Sequence, residues 1–353
     1  MNKKNKQFTV LDLFSGAGGF SLGFKQAGFD VLCGMDNDLA AINTYQKNFG
    51  NEKGVLLDLS QTVNFKNLEK IITGKVDVII GGPPCQGFSV AGKRIAEDPR
   101  NKLYKTYLEF IDFYKPKAVI VENVPSILSL YGGRISNEII QDLKNCGFSV
   151  SVHKVNASDF GVPQSRKRVF IVGLEIDDDN LVMRPIVTLG QVTSGMAISD
   201  LPLLENNYGA EELSYDLPAL NDYQKLMRLG SKKIHNHSAV VHKPETVKVI
   251  SLVPDGGNYK SLPEELQNIR KVNIAWTRLN SKKPSFTIDA GHNHHFHYKA
   301  NRVPTVRESA RLQSFPDKFI FTGGRVSQYR QVGNAVPPLL AEQIAIFLKN
   351  YIN

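Results

Sequence analysis

FTVLDLFSGAGGFSLGFKQAG, residues 8–28, is the stretch that decides the fold class. FTVLDLF is a nearly continuous apolar run, typical of a buried β-strand, whereas GGFSLGFKQAG has apolar residues at helical spacing and ends at Gly28. A glycine-rich turn joins the two segments. The stretch therefore predicts a strand, a tight turn and a helix, which together form the repeating unit of a layered α/β fold.

The same alternation continues through the first half of the chain. DVLCGM, GVLLD, VDVII and KAVIVEN have the composition of strands, and they alternate with the helix-like LAAINTYQKNFG, FKNLEKIIT and LYKTYLEFIDFY. This order predicts a doubly wound, mostly parallel sheet with helices on both faces. Such sheets bind ligands at the carboxyl ends of their strands. The glycine turn, Asp36, Asp58, Cys85 and Glu122 would all lie at that edge.

The alternation fades after VFIVGLEIDDDN. From 183 to about 300 the chain carries Pro, Gly, Asn and His in short segments such as VPDGGNYKSLPEEL, which favour loops on a small irregular scaffold over a second layered core. VPPLLAEQIAIFLKNYI, residues 336–352, then predicts a terminal helix that begins at two prolines and carries an apolar stripe.

The bulk composition narrows the function classes. The 353 residues, 42% of them apolar and 22% charged, are typical of a globular protein. No apolar run approaches the ~20 residues of a membrane span, and the three unevenly spaced cysteines favour a reducing cytoplasm over a disulfide framework. The net charge of +9 favours a polyanionic partner.

The glycine turn, GAGG at 16–19, lacks part of the dinucleotide-binding fingerprint. That fingerprint requires a third glycine at position 21, where this chain has Ser21. A glycine turn at a helix N-terminus still suits a small ligand with a carboxylate, such as the methionine part of S-adenosylmethionine. Asp36 then has the spacing of a side chain that binds both ribose hydroxyls, and Asp58 could accept from an adenine amino group. The alternative is a tight turn with two helix-capping aspartates.

GGPPCQGFSVAG, residues 81–92, holds Cys85 behind two prolines and between glycines. The prolines fix two φ angles and remove two donors, so the loop is stiff, and the glycines allow tight turns beside it. A free cysteine is most often a small buried hydrophobe, and that interpretation suits Cys33 and Cys146. The rigid loop at the mouth of the sheet instead favours a nucleophilic role for Cys85.

Six motifs resemble those of the C5-cytosine-specific DNA methyltransferases of the bacterial and phage restriction–modification type. They occur in the order of that family and extend over nearly the whole chain. The motifs are DLFSGAGGF (12–20), PPCQGFS (83–89), ENVPSIL (122–128), QSRKR (164–168), TVRESARLQSFPDKF (305–319) and QVGNAVPP (331–338).

The resemblance implies an S-adenosylmethionine-dependent, Rossmann-like fold with a discontinuous catalytic domain. Residues 1–182 and 327–353 would form the catalytic and cofactor-binding domain, completed by the returning terminal helix. Residues 183–326, which include the late TVRESARLQSFPDKF motif, would form a smaller target recognition domain, with DNA between the two.

The family's chemistry assigns roles to four residues. Cys85 would add as a thiolate to C6 of cytosine, which turns C5 into an enamine carbon that attacks the methyl group. Glu122, with a pKa raised by desolvation, would protonate or hydrogen-bond N3. Arg166 and Arg168 would stabilise charge at O2 and fix the nucleophile loop. The alternatives are a turn-capping glutamate and a solvated basic strand edge.

The cofactor implied is S-adenosylmethionine, which becomes S-adenosylhomocysteine. By family position Phe14 would contact adenine, and Asp36 and Asn37 the ribose. Asn37 departs from the aromatic residue often found there, so adenine would lack stacking on that side. The full set of expected cofactor residues is Phe14, Gly16, Gly18, Gly19, Asp36, Asn37, Asp58, Leu59, Pro84, Asn334 and Val336.

The macromolecular partner implied is double-stranded DNA. A base within a duplex cannot present C6 to a thiol, so the cytosine must be flipped out. A loop that continues from Cys85 could close over the DNA, although an exposed polar loop is the alternative for each basic residue. The expected DNA contacts are Gln86, Ser89, Lys93, Arg94 and Arg100. We further expect a monomer in the bacterial cytoplasm without membrane contact, with a functional pairing to a restriction endonuclease as a possibility.

GHNHHFHY places four histidines, His292, His294, His295 and His297, within six residues. Alternating side chains could reach bases or phosphates from a recognition loop. A polar surface segment is the second interpretation. A zinc site ranks third, because no cysteine pair or suitably spaced carboxylate accompanies the histidines.

Three other functions share some of these sequence features. The tRNA cytosine methyltransferases of the same family share most motifs but typically carry a late Cys-Phe-Thr tripeptide, and here every cysteine lies at or before Cys146. A non-catalytic DNA-binding regulator is disfavoured by the intact Cys85, Glu122 and Arg168. A nicotinamide oxidoreductase is disfavoured by Ser21 and by the Pro-Pro-Cys motif.

Overall fold

The computed structural model describes residues 7–84, 99–176, 181–184, 190–205, 207–267, 276–291 and 295–352. The chain divides into two compact units. The first unit comprises Met1–Asn156, Lys167–Ile186 and Leu340–Asn353, and the second comprises Ala157–Arg166 and Val187–Leu339. These limits differ from the predicted boundaries at 182/183 and 326/327, and the functional labels of the two domains stay predictions.

Seven strands form the central sheet of the first unit. Their order is β3-β2-β1-β4-β5-β7-β6. The first five pair in parallel, and β7 runs antiparallel between β5 and β6. The predicted doubly wound, mostly parallel sheet is confirmed, and the glycine turn follows β1, where the strand order reverses. The strands are β1 (Thr9–Leu13), β2 (Asp30–Asp36), β3 (Gly54–Leu56), β4 (Val78–Gly81), β5 (Ala118–Asn123), β6 (Ser149–Asn156) and β7 (Lys167–Leu174).

Helices cover this sheet, and the interior between the layers is apolar. Leu11, Ile79, Val119 and Ile171 are fully buried, and each such side chain contributes about 1.5–3 kcal/mol relative to an exposed one. The terminal helix belongs to this unit from Leu340 onward. The helices that contribute residues to this unit are α1 (Gly19–Gln26), α2 (Leu39–Phe49), α3 (Phe65–Leu68), α4 (Pro99–Tyr114), α5 (Arg134–Asn145) and, at the end of the chain, α11 (Pro338–Lys349).

The second unit combines short helices with a two-stranded antiparallel sheet. Among its described residues, long irregular segments connect these elements, as the Pro- and Gly-rich composition predicts. In the part of the whole chain that the structure describes, no helix has the length and apolarity needed to cross a membrane. The elements of the second unit are β8 (Gly209–Leu213), β9 (Ile234–Ser238), α6 (Ser194–Ile198), α7 (Asp222–Arg228), α8 (Pro244–Ser251), α9 (Val306–Leu312) and α10 (Arg325–Asn334).

The late motif TVRESARLQSFPDKF forms the buried centre of the second unit. Every residue of α9 is buried, and Thr305 and Glu308 form a capping box at its start. Glu308 also accepts from both terminal nitrogens of Arg302 at 2.7 Å. Arg311 binds Asp317 through Nε and Nη2, each at 2.6 Å. Buried charges are tolerated when they are paired and hydrogen-bonded in this way, so the motif has a structural role.

Candidate active site

Glu122 and Arg168 form an ion pair at the carboxyl end of β5. The antiparallel register of β5 and β7 places Glu122 opposite Phe170, so Arg168, two residues away, is a diagonal neighbour on the same face. Arg168 Nε lies 2.8 Å from Glu122 Oε1, and only 12% and 16% of the two side chains are exposed. Arg168 Nη1 donates to the Lys167 carbonyl at 2.7 Å. The guanidinium therefore fixes the direction of the carboxylate in a largely desolvated position.

The backbone that leaves β4 is held against this pair. A Cβ added to Gly82 would lie 3.0 Å from Glu122 Oε2, so the glycine leaves the space that the carboxylate occupies. Asn123 Nδ2 donates to the Pro83 carbonyl at 3.1 Å, and Pro84 is exposed. The residue that precedes Cys85 in the sequence thus stands at the edge of the sheet that carries Glu122.

Arg166 belongs to the second unit. The chain passes from the second unit to the first between Arg166 and Lys167. The Arg166 side chain is buried, and its Nη2 donates to the Gly333 carbonyl at 2.8 Å. Within the first unit the structure brings Arg168 to Glu122, and the role predicted for Arg166 at the base stays a prediction.

The glycine turn after β1 has a left-handed backbone at three positions. Phe14, Gly16 and Gly18 have φ angles of 59°, 53° and 94°, a conformation that strongly favours glycine at the latter two positions. The Gly16 amide donates to Asp36 Oδ2 at 2.9 Å, and the Asp38 amide donates to Asp36 Oδ1 at 2.9 Å. Burial raises the pKa of Asp36 above its ordinary value. One carboxylate therefore ties the turn to the end of β2.

The space beside Gly16 of the turn is open. A Cβ added to Gly16 would meet no atom within 4 Å, which leaves open space beside a backbone fixed by Asp36. Asp58 is exposed after β3, and it accepts from the Ser60 amide at 2.9 Å. Leu59 is 2% exposed and packs in the apolar core, and its contact with the cofactor stays a prediction.

The other expected cofactor residues occupy varied surroundings. Phe14 is half-buried, Gly18 and Gly19 are buried where α1 begins, and Asn37 is exposed. Asn334 is exposed and Val336 is buried, and both lie in the second unit. Their contacts with the cofactor stay predictions.

Asp12 and Tyr45 both bind Ser21, the residue that stands where the fingerprint has its third glycine. The Ser21 amide and Oγ both donate to Asp12 Oδ2, at 3.2 and 2.7 Å. Burial raises the pKa of Asp12 to about 7. Ser21 Oγ also lies 2.7 Å from the Tyr45 hydroxyl. An aspartate in the middle of the apolar strand FTVLDLF was the available signal, because a charged residue is rarely buried without partners.

Several predicted residues lie outside the described residues. They include the expected nucleophile and most of the expected DNA contacts. Arg100 falls in the first turn of α4, and its side chain is likewise outside the description. The undescribed residues of the prediction are Cys85, Gln86, Ser89, Lys93, Arg94, His292 and His294.

His297 does not fit the recognition-loop interpretation. It is 1% exposed, and its Nδ1 accepts from the Lys299 and Ala300 amides at 3.0 and 2.9 Å. Burial lowers the pKa of His297 to about 4, so the ring is neutral and holds a turn. His295 is half-buried beside the Phe286 ring. Over the described residues, no three His, Cys, Asp or Glu side chains form a metal-binding group.

Comparison with known sequences gives one family over almost the whole chain. The family model for C-5 cytosine-specific DNA methylase matches residues 8–350. The type II methyltransferase M1.HphI of Haemophilus parahaemolyticus is 39% identical over 340 residues, which cover 96% of this chain and 85% of that protein. M.DdeI of Desulfomicrobium norvegicum is 38% identical over 363 residues, which cover 95% and 87%.

Comparison with solved structures agrees. A crystal structure from E. coli, described as a DNA modification methyltransferase encoded within a prophage, has a TM-score of 0.82 and 29% identity, and the match covers 98% of this chain and 100% of that one. The Dnmt2 methyltransferase of S. pombe shares the fold, with a TM-score of 0.61, 19% identity and coverage of 98% and 99%.

Proposed function

The chain belongs to the C-5 cytosine-specific DNA methylase family and is a DNA cytosine-5 methyltransferase, and from this premise we propose how it acts. It transfers the methyl group of S-adenosylmethionine to C5 of a cytosine turned out of duplex DNA. The transfer passes through a covalent bond between Cys85 and C6 of the base.

The observation that carries the proposal is the Glu122–Arg168 pair beside the backbone of Gly82 and Pro83. Cytosine C5 is too weak a nucleophile to accept a methyl group unaided. When the Cys85 thiolate adds to C6, negative charge develops at N3 of the ring. Glu122 supplies the hydrogen at N3, and Arg168, 2.8 Å away, keeps its carboxyl group pointed at that position.

The adduct is resolved without a further reactant. Its C5 carbon takes the methyl group, the C5 proton is then lost to a base, and the electron pair of that C–H bond restores the C5–C6 double bond. Cys85 leaves as the thiolate and N3 gives its proton back to Glu122, which together return the enzyme to its starting state. The product is 5-methylcytosine, and the methyl donor is left as S-adenosylhomocysteine.

S-adenosylmethionine supplies an electrophilic methyl group when it is bound. We assign its binding to the open space beside Gly16, with Asp36 and Asp58 as acceptors for hydroxyl and amino groups of the adenosine part. The support is the Gly16–Asp36 hydrogen bond of 2.9 Å and the exposure of Asp58. The glycine turn lies at the strand ends, where parallel sheets bind ligands.

The same proposal extends to the biological setting. Residues 183–326 would read the DNA sequence, because they include the long stretch between the arginine and late motifs. The type II methyltransferases that resemble this chain suggest that the methyl mark protects cytoplasmic DNA against a cognate endonuclease. We expect the enzyme to act as a monomer.

The proposed reaction predicts 5-methylcytosine in DNA incubated with the protein and S-adenosylmethionine. Nucleosides from mixed-sequence duplex DNA would be analysed by mass spectrometry for the unmodified protein and for Cys85→Ala. Cys146→Ala is the matched control, since Cys146 is an exposed free cysteine. We expect methylation by the unmodified protein and the control but not by Cys85→Ala.

A parallel incubation with tRNA distinguishes DNA from tRNA as the substrate. Methylated tRNA together with unmodified DNA would overturn the DNA assignment. Methylated DNA with Cys85→Ala would overturn the covalent route while leaving the substrate intact.

A further inference from the structure

The Tyr45 ring fills the space of two absent side chains beside the glycine turn. A Cβ on Gly34 of β2 would lie 2.3 Å from Tyr45 Cε2, and a Cβ on Gly18 would lie 2.8 Å from Tyr45 Cδ2. Phe49 stacks on Tyr45 with ring centroids 4.4 Å apart. The ring therefore lies between the strand that ends at Asp36 and the turn that precedes α1.

The Tyr45 hydroxyl begins a chain of hydrogen bonds with a defined direction. Asp12 Oδ2 accepts from the Ser21 hydroxyl at 2.7 Å. Because the Ser21 proton is directed to Asp12, the 2.7 Å contact between Ser21 Oγ and the Tyr45 hydroxyl has Tyr45 as its donor. All three residues are at most 1% exposed, so each hydrogen bond forms away from water.

Together with the hydrogen bonds of Asp36, these contacts connect both ends of the glycine turn to α2. Asp36 accepts from Gly16 in the turn and from Asp38, the N-cap of α2. Tyr45 lies on the same helix and connects it, through Ser21, to α1 at the other end of the turn. Displacing Tyr45 would therefore shift α2 and the turn relative to one another.

We propose that Tyr45 and Ser21 are positioning residues for S-adenosylmethionine, which hold Gly16 and Asp36 at the separation that the bound cofactor requires. The inference rests on the proposed use of that cofactor. It concerns the affinity for the cofactor, because neither side chain has an exposed surface with which to contact the reacting atoms.

The polarity of the network is the reason to assign it more than a packing role. A phenylalanine would fill the same space, whereas the hydroxyls bring an aspartate into an apolar sheet. Burial holds the pKa of Asp12 at about 7. The titratable groups that interact with it are Cys33 and Asp36 on β2, Tyr45 on α2 and Tyr107 on α4. Burying the Asp12 carboxyl group away from water lowers the stability of the fold. Its presence in the sheet is therefore consistent with a functional role.

The test measures binding of S-adenosylhomocysteine by isothermal titration calorimetry. Tyr45→Phe keeps the ring and removes the donor, and Ser21→Ala removes the central link. We expect Kd to rise about five- to tenfold in each variant, the effect of one buried hydrogen bond. The Kd of the double variant should also rise by no more than about tenfold, because both changes break the same series of hydrogen bonds.

Kinetics separate positioning from general damage to the fold. We expect KM for S-adenosylmethionine to rise with Kd, while kcat at saturating cofactor stays within about twofold of the unmodified enzyme. Tyr104→Phe is the matched control, since it removes a buried hydroxyl that donates to the Ile139 carbonyl. Its Kd should not change. Circular dichroism would establish that each variant is folded, and Ser21→Ala decides the test if Tyr45→Phe is not.

One outcome overturns the inference alone. It is an unchanged Kd in a folded Tyr45→Phe or Ser21→Ala protein, whether or not kcat at saturating cofactor falls. If the unmodified protein itself does not bind S-adenosylhomocysteine, the proposed cofactor is wrong and the inference fails with it.

Discussion

Glu122→Gln is expected to lower kcat for DNA methylation by about 10²- to 10⁴-fold, the usual contribution of a positioned acid or base. Glutamine keeps the shape of the side chain and an oxygen that can accept from Arg168 Nε. It removes the proton and the charge that the proposed chemistry needs at N3 of the cytosine. Single-turnover methylation of a DNA substrate, with the protein in excess, would measure the chemical step directly.

The control for this change is Glu138→Gln. Glu138 also pairs with an arginine, Arg134, at 2.7 Å, but its side chain is 49% exposed on α5. We expect Glu138→Gln to methylate at the unmodified rate and both variants to bind S-adenosylhomocysteine with unchanged affinity. A Glu122→Gln enzyme that retains more than about a tenth of the rate would contradict the role of Glu122 as an acid–base group.

Asp12→Asn is expected to increase stability at pH 8. Burial raises the pKa of Asp12 to about 7 in the folded protein, against about 3.9 in an unfolded chain. Between these values the folded state holds a proton that the unfolded state has released. The free energy of unfolding therefore falls as the pH rises from about 4 to about 7, by up to about 4 kcal/mol.

Asparagine removes that dependence and keeps an oxygen that can accept from the Ser21 amide and hydroxyl. Urea unfolding at pH 5 and pH 8 would give the free energy for each protein. Between pH 5 and pH 8 we expect the free energy of unfolding of the unmodified protein to fall by about 2–3 kcal/mol more than that of Asp12→Asn. Asp112→Asn, at a side chain that is 82% exposed, should leave the difference unchanged. Equal pH dependence in Asp12→Asn and the unmodified protein would contradict a neutral, buried Asp12.

Much of the fold was predictable because it follows from local periodicity. The apolar strands and the amphipathic segments between them determine a layered parallel sheet, and that sheet places the ends of β1, β2, β3 and β5 along one edge. Asp36 beside the glycine turn and Glu122 at the end of β5 follow from this rule alone. The edge of the sheet that carries the candidate site could therefore be located from the sequence.

The contacts that the sequence did not predict depend on tertiary packing. The antiparallel insertion of β7 brings Arg168 to Glu122, whereas the change of unit at Lys167 leaves Arg166 with Gly333. His297 has the sequence context of a polar loop, but two backbone amides hold it in the interior. The spacing of the motifs does not predict that Arg166 belongs to the second unit while Arg168 pairs with Glu122 in the first.

The proposed bond between Cys85 and C6 of the target cytosine can be trapped with duplex DNA in which 5-fluorocytosine replaces cytosine. Methyl transfer to such a base leaves fluorine where the proton would be lost, so the thiolate cannot be eliminated and the adduct persists. After nuclease digestion, intact-mass spectrometry of the denatured protein would detect the adduct, and protease digestion with peptide mass spectrometry would identify the modified residue. We expect a methylated fluorocytosine nucleotide on Cys85, formed only with S-adenosylmethionine present, and on no residue of Cys85→Ala. Methylation of ordinary cytosine by the same preparation without any such adduct would contradict it.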